Sequence, residues 1–248
     1  MDGVILAAGQ GKRLRPLTES IPKALIKVGT HTLAEHILLG MASVGVDNVV
    51  FVTGFMGSRV ENFFARGNQW ELATSFVEQQ QLSGTAAALA LVEEVVTTNP
   101  FYCAYGDVYV ADIRNYRRFL DFHLSGGFEF SIMCNPVDDP YEGSAVALDG
   151  DKVVKLVEKP PQGTSESKLN ARGIMLLNYK IFDYIADLSP GAGGELVLTD
   201  AIAAAVEDGV SVGGYVLDGF SSDVGTPERL DEARDVANHT VEHEAETV

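Results

Sequence analysis

The sequence has few basic residues, few cysteines and no long hydrophobic run. Its 248 residues include 18 Lys and Arg against 35 Asp and Glu, which gives a formal net charge of −17. An acid excess of this size disfavours a general nucleic-acid binder and a protein that binds anionic membranes. The apolar run at positions 4–8 is too short for a signal-peptide core, and no span approaches membrane length. We therefore expect a cytoplasmic protein that binds neither nucleic acid nor membranes.

The two cysteines, Cys103 and Cys134, are too few for a disulfide framework. They have apolar neighbours, no CxxC spacing and no nearby histidine cluster that would complete a zinc site. We expect two buried thiols in a reducing compartment.

Hydrophobic residues make up 46 % of the chain and, in the first half, form short apolar runs that alternate with amphipathic stretches. Runs of strand length at 4–8, 48–53, 73–77 and 101–105 are separated by helical patterns. This alternation predicts βαβ units and a mainly parallel sheet, with ligands at the carboxyl ends of its strands. From 128 to 177 strand patterns follow one another, which predicts an α+β insertion before the last helices. We predict one domain over 1–238 and an acidic, solvated tail over 239–248.

The segment after the first predicted strand, 7–18 (AAGQGKRLRPLT), combines glycines and small residues with three cations. Such a loop lets backbone N–H groups approach a phosphate closely, and its cations add charge-assisted hydrogen bonds. It is not a dinucleotide fingerprint, because Leu14 stands where a third small residue is required. A Walker A loop fails as well, because Leu6 and Arg13 occupy positions that need Gly and Ser or Thr.

The cations of this chain are concentrated where these glycines are. Residues 1–30 carry five bases and two acids, a local charge of +3, whereas residues 31–248 carry 13 bases and 33 acids. The five bases are Lys12, Arg13, Arg15, Lys23 and Lys27. A glycine turn with solvated cations does not explain this concentration, so we interpret the segment as an anion site suited to a polyphosphate.

These residues, together with motifs further along the chain, resemble the sugar-1-phosphate nucleotidylyltransferases. Segment 6–18 matches the family pattern LAAGxGxRLRPLT, with Lys12 in place of the more usual Thr, and segment 21–25 matches its PKAL element. Further matches, in the family's order, are Gln79 with Gly84-Thr85, Gly106-Asp107, Glu158-Lys159-Pro160, the stretch from Glu195 to Ala201, and Asp223-Val224-Gly225-Thr226-Pro227. Together they cover residues 3 to about 230.

The resemblance implies an α/β fold with a Rossmann-like, mainly parallel mixed sheet flanked by helices and a small α+β insertion that binds the sugar. It implies that a nucleoside triphosphate and a sugar 1-phosphate give an NDP-sugar and pyrophosphate, with Mg²⁺ as cofactor. The implied catalytic residues are Arg13, Lys23 and Lys159. The implied nucleotide-binding residues are Ala7, Ala8, Gly9, Gly11, Gln79, Gly84, Thr85 and Gly106. The implied sugar-binding residues are Gly143, Glu158 and Asn170, and the implied metal ligands are Asp107 and Asp223.

Three departures from the family pattern fall on the sugar side. Glu142 stands where the family usually has Tyr, and Arg172 is inserted into the usual Asn-Ala-Gly sequence before Gly173. Ser221-Ser222 replaces the segment in which the family has a Trp before Asp223. The sugar is therefore the least determined part of the prediction. We expect UTP or dTTP with glucose 1-phosphate, because Gln79 resembles the residue that reads a pyrimidine in relatives.

Two alternatives stay open. One is a non-catalytic regulatory homologue that senses an NDP-sugar. The joint presence of Arg13, Lys23, Asp107, Lys159 and Asp223 disfavours it. The other is a guanylyl- or cytidylyltransferase of the same superfamily. The oligomeric state is also open, a homo-oligomer included. The large acid excess outside residues 1–30 further suggests adaptation to a high-salt cytoplasm, where screening shortens charge repulsion.

Overall fold

A computed structural model describes residues 1–65, 70, 72–191 and 193–245, with the backbone alone described after residue 239. The strands are β1 (Asp2–Leu6), β2 (Lys27–Val28), β3 (His31–Thr32), β4 (Asn48–Thr53), β5 (Ala73–Glu78), β6 (Phe101–Tyr105), β7 (Val108–Val110), β8 (Phe130–Pro136), β9 (Ser144–Asp149), β10 (Lys152–Glu158), β11 (Leu169–Leu177), β12 (Val212–Val216) and β13 (Ser221–Asp223). The α-helices are α1 (Leu33–Ala42), α2 (Gly57–Phe64), α3 (Thr85–Ala90), α4 (Arg114–Gly126), α5 (Lys180–Ala186), α6 (Leu198–Glu207) and α7 (Pro227–Ala245). Three short 3-10 helices, Lys12–Leu14, Leu17–Glu19 and Lys23–Leu25, follow β1.

The main sheet has nine strands in the order β5-β4-β1-β6-β11-β8-β12-β10-β9. Strands β5, β4, β1 and β6, which come from the first half of the chain, are mutually parallel. Beyond them, β11 is antiparallel to both β6 and β8, and β10 is antiparallel to β9 and β12. The sheet is therefore mixed, with its parallel part where βαβ units are predicted and its antiparallel part in the predicted insertion.

Helices cover both faces of this sheet, because successive residues of its central strands alternate between two hydrophobic clusters. Val4 and Leu6 of β1 pack in the cluster formed with α3, α5 and α6, whereas Ile5 packs in the cluster formed with α1, α2 and α4. Every residue of β1 is buried, as expected for a strand with helices on both sides. In such a three-layer arrangement ligands bind at the carboxyl ends of the strands.

Two short two-stranded sheets lie outside the main sheet, β2 with β3 and β7 with β13. A third hydrophobic cluster joins the first of them to the N-terminal 3-10 segment and α7. The N-terminus of α1 is fixed beside it by a capping box, in which Glu35 N donates to Thr32 Oγ1 (3.2 Å) and Thr32 N donates to Glu35 Oε2 (2.7 Å).

The predicted order of strands and helices is confirmed, with three differences. Strands β2, β3, β7, β12 and β13 are not predicted from the sequence. Helix α3 covers Thr85–Ala90 and is shorter than the helical pattern that the sequence shows from Ala86 to Val96. Helix α7 runs to Ala245, so that the backbone of 239–245, which we expected as a frayed tail, is helical. Residues 246–248 lie outside the described part of the chain, and the division at 238 stays a prediction.

Both cysteines are free and fully buried, as expected. Within the described residues, no helix combines the length and the apolar character that a membrane crossing requires.

Candidate active site

A cleft of about 670 Å³ opens at the carboxyl ends of β1, β5 and β6, where the rule for open α/β sheets places ligands. All the site residues selected from the sequence line this one cleft. They are Ala7, Ala8, Gly9, Gly11, Arg13, Lys23, Gln79, Gly84, Thr85, Gly106, Asp107, Gly143, Glu158, Lys159, Asn170 and Asp223. Segments far apart in sequence therefore meet at one surface, while the role of each residue stays a prediction.

The loop after β1 is held tightly at its base and is open at its tip. Gly106 N donates to Leu6 O (2.9 Å), and a Cβ on Gly106 would lie 3.0 Å from that oxygen, so only glycine fits there without displacement. Gly11 is left-handed at φ 60°, and Thr18 Oγ1 donates to its carbonyl (2.9 Å). A Cβ on Gly9 would meet nothing within 4 Å. The backbone at Gly9 is thus the part of the loop that a phosphate can approach most closely.

Three of the five N-terminal bases reach the cleft, namely Lys12, Arg13 and Lys23. Arg13 is exposed and lies over Gly225, where a Cβ would come within 3.0 Å of its Nη2. Lys23 is largely buried and forms a short ion pair with Asp107. Arg15 and Lys27 are exposed and are not part of the lining, so the predicted anion site uses fewer bases than the sequence count indicates.

The two predicted metal ligands are neighbours, although they lie far apart in sequence. Asp107 directly precedes β7 and Asp223 ends β13, and Val224 N donates to Asp107 O (2.9 Å) between them. Their side chains are 29 % and 36 % exposed, so both can be reached from the cleft. The short antiparallel pairing of β7 with β13 is what makes these two residues neighbours.

The end of the cleft next to α3 contains Gln79 and Gly84. Gln79 is 6 % exposed, and its Nε2 donates to the carbonyl of Gly84 (3.1 Å). Because a carbonyl can only accept, the amide nitrogen is fixed on that side and Oε1 is the acceptor left over. Among the described residues, Oε1 has no hydrogen-bond partner. Thr85 is fixed as well, since its Oγ1 accepts from Leu198 N (2.9 Å).

At the opposite end, Glu158 is oriented by two hydroxyls. Its Oε2 accepts from Ser144 Oγ (2.5 Å) and Thr199 Oγ1 (2.8 Å), which leaves Oε1 beside Lys159 Nζ (3.5 Å). Lys159 adopts a left-handed φ of 43°, uncommon for a residue with a side chain, and its N donates to Gly143 O (2.7 Å). Strain of this kind concentrates at functional sites. Gly143 itself has no room for a Cβ, which would lie 2.1 Å from Asn170 Oδ1.

Comparison with known proteins identifies the family. The sequence matches the nucleotidyl transferase family over residues 2–239. The chain is a nucleotidyl transferase family member. Its fold is the nucleotide-diphospho-sugar transferase fold. A Bacillus anthracis protein described as a glucose-1-phosphate thymidylyltransferase, crystallised with sucrose, superimposes with a TM-score of 0.86 at 28 % identity, covering 96 % of this chain and 95 % of that one.

Curated relatives of this nucleotidyl transferase family member carry different descriptions. The low-salt glycan biosynthesis nucleotidyltransferase Agl11 of Haloferax volcanii is 29 % identical over 94 % of this chain and 65 % of its own length. Mannose-1-phosphate guanylyltransferase 1 of Arabidopsis thaliana is 34 % identical over 92 % of this chain and 62 % of its own length. The chain thus spans about half to two thirds of the length of the curated relatives it matches.

One charged network in this family member is not predicted from the sequence. Arg172 Nη1 donates to Asp223 Oδ1 (2.8 Å), and Arg229 Nη1 donates to Asp223 Oδ2 (2.6 Å). Arg229 Nη2 also donates to Glu142 Oε2 (2.5 Å). Arg172 is 6 % exposed, and its buried Nε has no partner among the described residues. Burial lowers the pKa of this guanidinium, and the charge of Asp223 opposes that shift. Two of the three departures noted in the sequence, Glu142 and Arg172, therefore belong to one network.

Asp107 and Asp223 offer the type of donor atom that a hard divalent cation prefers. Asp107 and Asp223 both line the open cleft, and Mg²⁺ is usually held by one or two carboxylates with water and substrate phosphates. No three His, Cys, Asp or Glu side chains within the described residues group into a fuller metal site. Both carboxylates are also bound by cations, Asp107 by Lys23 and Asp223 by two arginines.

Proposed function

We propose that this protein transfers a nucleotidyl group from a nucleoside triphosphate to a sugar 1-phosphate and releases pyrophosphate. The observation that carries the proposal is the meeting of Arg13, Lys23, Asp107, Lys159 and Asp223 in one cleft. A reaction between two polyphosphate anions needs cations at the reacting phosphates and hydrogen-bonding groups for the base and the sugar at either end. The cleft has both.

In this reaction a phosphate oxygen of the sugar 1-phosphate attacks the α-phosphorus in line. A new P–O bond forms as the bond from the α-phosphorus to the bridging oxygen breaks, and pyrophosphate leaves with the electron pair. Arg13 binds the departing pyrophosphate through its guanidinium, and the N–H groups around Gly9 and Gly11 hold the triphosphate. Lys23 bridges the triphosphate and the attacking phosphate, while Lys159 binds the sugar phosphate as a point charge.

Asp107 and Asp223 are the residues that would hold Mg²⁺, which when bound supplies charge neutralisation at the α-phosphate. We expect Asp107→Asn and Asp223→Asn each to nearly abolish pyrophosphate release while leaving the fold intact, as judged by circular dichroism. Rates equal to wild type in both variants would remove these residues from the proposal.

We propose UTP or dTTP as the nucleotide, because of the atom that Gln79 leaves free. With Nε2 engaged by Gly84, Oε1 can only accept a hydrogen bond. Uracil and thymine present an N3–H donor, whereas cytosine N3 and adenine N1 are acceptors, so those two bases could donate to Oε1 only by shifting to present an exocyclic amino group. A buried polar mismatch of this kind costs about 1–3 kcal/mol, enough for roughly tenfold to hundredfold discrimination.

Guanine is the second candidate, since its N1–H is also a donor and the Arabidopsis relative is described as a guanylyltransferase. On the sugar side we propose glucose 1-phosphate, with the hydroxyls hydrogen-bonded to Glu158 and room for the ring provided by Gly143 beside Asn170. The product then serves a glycan-building reaction.

The test is a matrix of UTP, dTTP, GTP, CTP and ATP against glucose, N-acetylglucosamine and mannose 1-phosphates, read by pyrophosphate release in Mg²⁺. We expect turnover with UTP or dTTP and glucose 1-phosphate. Turnover only with GTP would refute the base assignment. If no pair of substrates releases pyrophosphate, a non-catalytic homologue is favoured. Gln79→Glu serves as a matched variant: it keeps the size and acceptor atoms but loses the donor to Gly84, so we expect a raised KM for the nucleotide.

A further inference from the structure

Asp223 is bound on both of its oxygens by guanidinium groups, which distinguishes it from Asp107. Arg172 Nη1 donates to Oδ1 (2.8 Å) and Arg229 Nη1 donates to Oδ2 (2.6 Å). One carboxylate charge therefore faces two cations. The balance is restored by Glu142, which accepts from the other arm of Arg229 at 2.5 Å. We call the four side chains Glu142, Arg172, Asp223 and Arg229 the guanidinium clamp.

The two arginines of the clamp are positioned very differently. Arg172 lies on β11 and is almost fully buried, and its Nε has no partner among the residues that the structure describes. Arg229 lies in the first turn of α7 and is 29 % exposed. Its guanidinium donates to two carboxylates, those of Asp223 and Glu142, and this holds the segment around Glu142 in place relative to Asp223.

We propose that Arg172 and Arg229 are positioning residues that compete with a divalent cation for Asp223, so that the free protein binds the metal weakly. This inference rests on the proposed function, in which Asp223 is a metal ligand. A cation that approaches Asp223 meets oxygens already hydrogen-bonded and two positive charges beside them. The negative charge of a triphosphate offsets that repulsion. Metal and nucleotide are therefore expected to bind together rather than metal first.

Glu142 gives the clamp a second, opposite prediction. While Glu142 accepts from Arg229, part of that charge is neutralised away from Asp223. Without the carboxylate, the charge of Arg229 acts on Asp223 alone. Removing a clamp arginine should therefore strengthen metal binding, and removing the clamp glutamate should weaken it.

The experiment measures Mn²⁺ binding to the full chain by the electron paramagnetic resonance signal of the free ion, first without any nucleotide. We expect Arg229→Gln and Arg172→Met to tighten Mn²⁺ binding about tenfold, the change expected from losing one charge interaction worth roughly 1.4 kcal/mol. We expect Glu142→Gln to weaken it severalfold. In the wild type, a non-hydrolysable UTP analogue should strengthen Mn²⁺ binding, and this gain should shrink in Arg229→Gln.

Matched controls account for the change in total charge, because the chain is strongly acidic. Arg118→Gln removes an exposed α4 arginine that pairs with Asp112 and Asp218 and does not line the cleft. Glu207→Gln removes an exposed acid at the end of α6 that does not line the cleft. We expect both to bind Mn²⁺ like the wild type. Because Arg172 is buried, its variant is used only if it shows a cooperative unfolding transition; Arg229→Gln keeps the test decisive otherwise.

The outcomes separate the clamp from the proposed function. If Asp223→Asn fails to weaken Mn²⁺ binding, the metal assignment of the proposed function is wrong. If Asp223→Asn weakens binding but Arg229→Gln binds Mn²⁺ no more tightly than Arg118→Gln, the clamp is overturned while the proposed function stands. If the arginines act in folding alone, their replacement changes the unfolding midpoint but not Mn²⁺ binding. Tighter Mn²⁺ binding in Arg229→Gln together with weaker binding in Glu142→Gln would then not be observed.

Discussion

Replacing Gly84 with alanine tests how the nucleotide end of the cleft is built. Gly84 precedes α3 with φ 106° and ψ 174°, a region that only glycine occupies readily. A Cβ there would lie 2.2 Å from Leu196 O and 2.7 Å from Leu196 N. Both atoms are backbone, so no side-chain rotation relieves the overlap. The segment around Leu196 or the segment around Gly84 must move.

The cost follows from what this movement breaks. The strained conformation itself costs about 1–3 kcal/mol with a side chain. Ala86 N donates to Leu196 O (2.9 Å) and Leu196 N donates to Ser83 O (2.8 Å), and each lost bond costs about 1 kcal/mol. We therefore expect Gly84→Ala to lower the free energy of unfolding by about 3–5 kcal/mol, a large share of the roughly 5–15 kcal/mol of a typical domain.

Urea unfolding of Gly84→Ala, with Gly209→Ala as matched control, measures this cost. Gly209 also has a positive φ, 82°, but a Cβ there meets no atom within 4 Å, so its cost should be only about 1–2 kcal/mol. Because Gln79 donates to the Gly84 carbonyl, Gly84→Ala should also raise KM for the nucleotide, while Gly209→Ala leaves KM unchanged. Equal stabilities for the two variants would refute the argument from the Leu196 contact.

Three further predictions concern groups away from the reacting centre. Burial raises the pKa of both thiols, that of Cys134 to about 12, so neither Cys103 nor Cys134 should react with a thiol reagent at pH 8 until the protein is unfolded in guanidinium; fast reaction of the native protein would contradict their burial. Burial and the charge of Glu158 raise the pKa of Asp200, so the ionised carboxylate destabilises the folded state above that pKa. Asp200→Asn should therefore raise Tm at pH 8, and the gain in Tm should shrink as the pH falls towards 4. A gain in Tm that does not change with pH would point to another cause. Activity and Tm should rise with KCl towards about 1 M, where the screening length is about 3 Å, and activity that peaks in dilute buffer would count against adaptation to high salt.

The central strands are predictable from sequence because helices cover both of their faces, and β1 and β4 therefore appear as continuous apolar runs. Strand β12 is missed because packing requires glycine in it. A Cβ on Gly213 would lie 2.5 Å from the ring of Phe128, and one on Gly214 would lie 2.4 Å from Leu148. Two neighbouring glycines interrupt the alternation that marks a strand. Strand β13 is missed because it is only three residues long and entirely polar.

The candidate site is predictable where its chemistry lies in short, contiguous motifs, as in the loop around Gly9 or the pair Gly106-Asp107. Pairing between distant segments is set by sheet topology, which no local pattern encodes. The count of charge along the chain illustrates this: Arg15 and Lys27 belong to the basic N-terminal segment but stay outside the cleft.

Arg172 and Arg229 come from the acidic remainder of the chain, yet both bind the carboxylate of Asp223. In the sequence, Glu142 and Arg172 are two unrelated departures from a family pattern, and Arg229 is an ordinary helix residue. Their meaning arises only when β11, β13 and α7 meet, because a buried guanidinium needs hydrogen-bond acceptors and two arginines on one carboxylate are balanced by a further acid. The charges of Glu142, Arg172 and Arg229 around Asp223 thus compensate one another. Replacing one of them alone would assign to a single residue an effect on Mn²⁺ binding that belongs to all of them.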